Sequence, residues 1–234
     1  MFDKGPIVIL GAMDGEIKAF LKAFDIVGKQ EWRGFTFYPG ILENRNILIA
    51  KSGVGKILTA MVTQKIIDMF HPASIIFTGI AGAINSKLNI GDIVIGRDSI
   101  QHDFDATHFN FKRGEIPYTP YRIFKSDDFL YNSAMTFSGD NYKVTGGRIL
   151  TGDQFVSYKM SSDYSYLSEE LRGDCVEMEG AAAALVATVN NIPHLIIRTI
   201  SDKANGSGNA DFKSLLKIAS ENSLEIIQHI LREI

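Results

Sequence analysis

Cysteine is almost missing from this 234-residue chain, where Cys175 stands alone. That excludes an internal disulfide framework and a cysteine-built zinc cluster, and it fits a reducing compartment. An excess of charge of one sign is missing too. Lys and Arg number 24 against 27 Asp and Glu, a formal net charge of −3. With no basic block, binding to nucleic acid through phosphate contacts is not expected. Long apolar runs are absent as well. The longest uncharged stretches, Met69 to Ser86 and Gly180 to Ile197, are broken by His71-Pro72 and by Asn190-Asn191 and Pro193-His194. Each reads as two buried elements and not as a membrane span. The run Ile7 to Leu10, preceded by Asp3 and Lys4, is too short for a signal core. The expectation is a cytoplasmic protein that does not engage a membrane. No repeat and no low-complexity tract stands out.

What is present has ordinary globular balance, 45% hydrophobic and 22% charged. That length suits one domain over residues 1–234 with a sizeable core. Short apolar runs alternate with helical patterns. Ile7-Val8-Ile9-Leu10, Ile47-Leu48-Ile49-Ala50, Ser74-Ile75-Ile76-Phe77, Asp92-Ile93-Val94-Ile95 and Leu195-Ile196-Ile197 read as buried strands. Ile17, Phe20, Leu21 and Phe24 keep helical spacing, and the chain closes on a helix from Leu215 to Leu231. Strands of this kind predict an α/β fold whose sheet is covered on both faces. Thr78-Gly79-Ile80-Ala81-Gly82-Ala83 reads as a small-residue loop, and Gln101 to Pro120 as a long loop or edge ribbon.

Several motifs fail. Gly53-Val54-Gly55-Lys56 lacks the earlier glycine and the following Ser or Thr of a phosphate loop, since Ala50 and Ile57 stand there. Its glycines read as a tight strand-to-helix turn. His102, Asp103, Asp105 and His108 have no metal-ligand spacing and read as polar loop residues. No nucleophile-elbow serine is present. What remains is a set of acids at strand ends, Glu16, Glu179 and Asp202. Ligands of open α/β sheets gather at that edge. Any one of these acids taken alone could equally be a helix-end charge or half of an ion pair.

Together these segments resemble the 5′-methylthioadenosine/S-adenosylhomocysteine nucleosidases of the purine nucleoside phosphorylase-like superfamily. The motifs are Gly11-Ala12-Met13-Asp14-Gly15-Glu16, Ser52-Gly53-Val54-Gly55-Lys56, Thr78-Gly79-Ile80-Ala81-Gly82, Gly91-Asp92-Ile93-Val94, Thr151-Gly152-Asp153-Gln154-Phe155, Val176-Glu177-Met178-Glu179 and Ile200-Ser201-Asp202. The resemblance covers nearly the whole chain and is weakest from Arg122 to Arg148. It implies a three-layer α/β/α sandwich around a central mixed, twisted sheet. It implies hydrolysis of the N-glycosidic bond of adenine thionucleosides, and of 5′-deoxyadenosine, in methionine salvage and the activated methyl cycle. No cofactor and no metal is implied.

Carried over residue by residue, the resemblance makes Asp202 the general acid at adenine N7, protonated through burial, and Glu16 the residue that readies water. Arg198 is either the family arginine near that water or an ion-pair partner for a strand-end acid. Glu179 would take the ribose hydroxyls, Met178 would pack on the sugar, and Glu177 would support them. Phe155 would stack on adenine and the Val156 backbone would read its edge, with Ser201 supporting Asp202. Ile80, Ala81 and Gly82 would line the pocket, and Val54 and Phe212 would line the 5′-alkylthio group. Phe109 and Pro117 match positions that a second copy contributes, so a homodimer is implied. Ile80 departs from the hydroxyl that many relatives carry, and Phe111 from a tyrosine. The competing readings are a purine nucleoside phosphorylase and a non-catalytic nucleoside-binding protein on the same fold.

Overall fold

The computed structural model describes residues 5–139, 141–156, 164–203 and 212–234. Strand β1 (Ile7–Gly11) leads into helix α1 (Asp14–Ala23), followed by β2 (Asp25–Ile26), β3 (Gln30–Trp32), β4 (Phe35–Leu42) and β5 (Arg45–Lys51). Next come α2 (Lys56–Phe70), β6 (Ser74–Ala83), β7 (Ile93–Gln101), a 3₁₀ turn at Thr107–Phe109 and β8 (Phe124–Lys125). The last elements are α3 (Asp128–Thr136), β9 (Val144–Thr151), α4 (Tyr166–Glu169), β10 (Cys175–Glu177), α5 (Gly180–Val189), β11 (His194–Lys203) and α6 (Phe212–Glu233).

The apolar strand runs are continuous because both faces of the sheet are buried. Val8, Leu10, Leu48, Ala50, Ile75 and Phe77 pack into one core with Val62 and Ile66 of α2 and the alanines of α5. Their sequence neighbours Ile7, Ile9, Ile47, Ile49 and Ile76 pack into a second core with α1, α3 and α6. The two-residue alternation of a strand divides them. The result is a mixed sheet between two helical layers.

Sheet order is β10-β9-β7-β11-β6-β1-β5-β4-β2. β1 runs parallel to β5 and β6, and β6 parallel to β11. β7 runs antiparallel to β11, and β9 parallel to β7. β10 runs parallel to β9 but also pairs antiparallel with β6, through Cys175↔Ala83 and Val176↔Gly82. One side of the sheet therefore curls closed through β6, β11, β7, β9 and β10. This closure carries the end of β10 to the carboxyl ends of β6 and β11, although the strands run in opposite directions.

The closure also corrects one expectation. Thr78 to Ala83 is not a loop but the second half of β6, paired with β11 on one side and β10 on the other. The chain from Arg198 to Asp202 likewise stays in β11. Gln101 to Pro120 is irregular beyond Gln101 apart from its 3₁₀ turn. Among the described residues, no helix is long and apolar enough to cross a membrane.

Candidate active site

The carboxyl ends of β1, β6 and β11, with the segments after β5, β9 and β10, enclose a cavity of about 230 Å³. Its lining includes Glu16, Val54, Ile80 to Gly82, Phe155, Val156, Glu177 to Glu179, Ser201 and Asp202. Ala12, Met13, Gln154 and Val176 also line it.

Glu16 sits in the first turn of α1 and is buried. Its Oε2 accepts the backbone N–H groups of Ala12 at 2.7 Å and Met13 at 2.9 Å, and its Oε1 accepts that of Ile80 at 3.1 Å. Burial pushes this carboxyl up from its ordinary value, and the Arg198 charge and the three N–H groups only partly offset it. The residue is therefore a better base than a solvated glutamate. The Ile80 contribution is made by backbone alone, so the apolar side chain at that position is compatible with holding Glu16.

Gly79 makes the close approach possible. A Cβ there would lie 2.6 Å from Glu16 Oε1 and 3.3 Å from Arg198 Nη1. On the other side, Ser220 of α6 is buried against α1. Its hydroxyl donates to the Glu16 carbonyl at 2.9 Å and accepts from the Ala19 N–H at 2.9 Å.

Asp202 reaches the cavity through a bulge. The β11–β6 register runs Ile200↔Ala81 and then Asp202↔Gly82, leaving Ser201 unpaired. Such a bulge re-aims the side chains around it, and both Ser201 and Asp202 line the cavity. The Ser201 hydroxyl lies 2.7 Å from Asp202 Oδ1 and 3.3 Å from the Ala81 carbonyl. A hydroxyl has one proton to donate, and the shorter contact to a carboxylate is the stronger. The full burial expected for Asp202 is not present: it is half-buried, because the open cavity wets one side of it.

Glu177 and Arg198 form a buried pair beneath the cavity. Arg198 Nη2 and Nε donate to Glu177 Oε2 at 2.5 and 3.2 Å. Arg198 Nη1 faces the carbonyls of Ile197 at 3.1 Å and Phe77 at 3.3 Å. Glu177 also takes the Glu179 N–H at 3.0 Å, the Gly180 N–H at 2.7 Å and the Thr151 hydroxyl. Arg198 makes the ion pair with Glu177 and also acts on Glu16. It lies behind Glu16 and does not line the cavity. Glu179 caps α5, and its Oε1 accepts the Gly55 N–H at 2.8 Å. Gly53 and Gly55 have φ of 82° and 94°, so this turn is closed to residues with a Cβ. Burial pushes the Glu179 carboxyl up, and the Glu177 charge pushes it further.

Phe155 is exposed at the rim and Val156 is buried. Phe109, 72% exposed, and Pro117 stay outside this chain's cavity. The Phe212 side chain and residues 204–211 lie outside the described residues. Sequence reasoning missed Gly79, Thr151 and Ser220. Only the glycine left a signal, as the one residue type that admits a carboxylate so close to the backbone.

Gly79→Ala should drive the Glu16 carboxylate off its three N–H donors. A displacement of about 1 Å typically costs ~10²-fold in turnover. The measurement is steady-state kinetics beside a thermal melt, and a variant within a few-fold of the parent would show that Glu16 tolerates the shift.

Residues 6–232 match the phosphorylase superfamily. A 5′-methylthioadenosine/S-adenosylhomocysteine nucleosidase of Anoxybacillus flavithermus is 34% identical over 231 residues, covering 97% of this chain and 98% of its own. The Staphylococcus haemolyticus nucleosidase of the same name is 33% identical over 227 residues, covering 97% and 99%. Among solved structures, the Neisseria meningitidis nucleosidase in complex with methylthio-immucillin-A overlays with a TM-score of 0.88 at 32% identity, over 98% of this chain and all 100% of that one. A futalosine hydrolase of Helicobacter pylori overlays with 0.87 at 28% identity, over 98% of both chains. The acids, the bulge and the cavity thus sit on the fold these proteins share, and the chain belongs to the 5′-methylthioadenosine/S-adenosylhomocysteine nucleosidases of the phosphorylase superfamily.

Proposed function

We propose that the chain, as one domain acting in the cytoplasm, hydrolyses the N-glycosidic bond of 5′-methylthioadenosine, S-adenosylhomocysteine and 5′-deoxyadenosine. The products are adenine and the ribose or thioribose. The observation that carries this reading is that Glu16, from helix α1, and Asp202, from strand β11, line one cavity. An acid and a base on opposite sides of a glycosidic bond are the equipment of an inverting hydrolysis. Asp202 delivers a proton to N7, so adenine leaves as a neutral base. Glu16 takes a proton from the attacking water. Glu179 offers two acceptor oxygens to the vicinal ribose hydroxyls, Met178 packs on the sugar, and Phe155 stacks on the purine. Ser201 keeps Asp202 aimed, and Glu177 with Arg198 holds the corner that bears Glu179.

The 5′ group would rest among Val54, Ile80 and Phe212. Phe109 and Pro117 of a second copy would close it, making the working unit a homodimer. The phosphorylase alternative is disfavoured by charge and chemistry. Glu16 would repel a phosphate entering from its side, and Ile80 offers it no hydroxyl.

The deciding experiment is adenine release from methylthioadenosine with and without inorganic phosphate. Equal release in both supports a hydrolase, strict phosphate dependence moves the chain to the phosphorylases, and no release from any adenine nucleoside leaves a binding protein. Asp202→Asn is expected to lower kcat by ~10²–10⁴-fold, and a loss of only a few-fold would remove Asp202 from the role. A second expectation concerns pH. Glu16 acts as its carboxylate, so activity falls as pH drops through its pKa. Because burial raises that pKa, the acid limb of kcat/KM should lie above the ordinary glutamate value of 4.5. A limb at or below 4.5 would mean that another group supplies the base.

A further inference from the structure

Two motifs set aside in the sequence meet in the structure. Lys56, from the failed phosphate loop, places Nζ 2.6 Å from Asp103 Oδ1, which belongs to the rejected metal cluster. The same ammonium is 3.8 Å from Asp153 Oδ2. The Lys56 and Asp103 side chains are only 16% and 24% exposed. Backbone completes the junction: Lys56 N–H donates to Asp153 Oδ1 at 2.8 Å, and Asp153 N–H donates to Asp103 Oδ2 at 2.9 Å.

Three loops are tied at this point. Lys56 follows the turn whose Gly55 N–H holds Glu179. Asp153 precedes Gln154, Phe155 and Val156, which line the cavity. Asp103 begins the irregular stretch that carries Phe109 and Pro117. Lys56 itself does not line the cavity. We propose that Lys56 is a positioning residue, a cation that clamps the Asp103 and Asp153 loops so that Glu179 and Phe155 keep their separation across the substrate. This rests on the nucleosidase reading above.

The physical reason is like charge. Asp103 and Asp153 share hydrogen bonds at one junction, and without Lys56 their carboxylates repel and the loops part. Burial alone would raise the Asp103 carboxyl, but the Lys56 ammonium and the Asp153 N–H hold it below the usual carboxylate range. It therefore stays ionised at neutral pH and the clamp stays charged. His102 beside it adds no competing cation, because burial pushes its imidazole down to about 4. An exposed ion pair would contribute little. This one is half-buried and charge-assisted, and its two ends lie on separate loops.

The test is steady-state kinetics on methylthioadenosine with Lys56→Met, Lys56→Arg, Asp103→Asn and the Lys56→Met/Asp103→Asn pair. Loosened loops weaken ground-state contacts, so Lys56→Met should raise KM about tenfold with kcat changed less than about threefold. Lys56→Arg should recover most of the loss by restoring the cation. Asp103→Asn should cost less than Lys56→Met, because it also removes one of the two repelling carboxylates, and the pair should recover part of the Lys56→Met loss, the signature of one shared interaction. A lowered melting temperature with unchanged KM in both single variants would overturn the proposal and leave an ordinary structural ion pair. So would a failure of Lys56→Arg to recover KM.

Turnover by the unmodified enzyme decides the nucleosidase reading separately. Should that turnover be absent, adenine titrated by calorimetry gives the same comparison. A Kd about tenfold weaker in Lys56→Met supports the clamp, and an equal Kd or no binding to either protein overturns it.

Discussion

A guanidinium sealed from water must find partners for its donors, and Arg198, 1% exposed, finds them in Glu177 and two strand carbonyls. Glu177 in turn uses its remaining acceptor capacity on the Glu179 and Gly180 N–H groups. One carboxylate therefore neutralises the buried cation and satisfies the positive end of α5. Removing either partner of such a pair typically costs about 3–5 kcal/mol, whereas an apolar replacement of both can be nearly neutral. Stability alone is thus a weak reason for the pair. What it does is geometric. It fixes the corner between β10 and α5 against β11, and Met178 and Glu179 are the residues that turn that corner.

From this frame the other acids take different characters from their surroundings. Glu16 is buried but receives three backbone N–H groups, so it can carry charge without water. Glu179 receives one, from Gly55, and faces the charge of Glu177. Asp202 is half-buried, with a hydroxyl at one oxygen. Among the described residues, one buried guanidinium, Arg198, is paired with Glu177 and acts on Glu16 and Glu179 at a distance. Three acidic side chains thus line one cavity in three different electrostatic settings.

The sequence carries the core plainly and the site partly. Runs such as Ile7 to Leu10 are legible because both faces of the sheet are buried, and that demand is local and periodic. The acids are legible because charge next to apolar strands is costly to bury without purpose. Thr78 to Ala83 misleads for a physical reason. Its small residues look like a loop, but at Gly79 the residue is small because Glu16 and Arg198 crowd the strand there. The Ser201 bulge has no signature in composition, since it is a matter of register between β11 and β6. Ser220 lies 204 positions from Glu16, and Lys56 lies 47 from Asp103. No window of periodicity spans such distances. Each half of the Lys56–Asp103 contact looked like a failed motif because the motif being tested was complete only across the fold.

The exposure of the aromatic loop bears on the chemistry as well as on assembly. Phe109, Tyr118, Phe155 and Ile57 are 72%, 96%, 70% and 81% exposed. Lys56 and Asp103 set the start of the aromatic loop against the start of α2, beside Ile57. Exposed apolar side chains on the segments that this junction ties are the kind of surface a partner covers. A second copy laid there, as proposed above, would bury these apolar side chains. In the proposed homodimer the same contact would lie beside the entrance to the cavity, so assembly and access to the site would be linked.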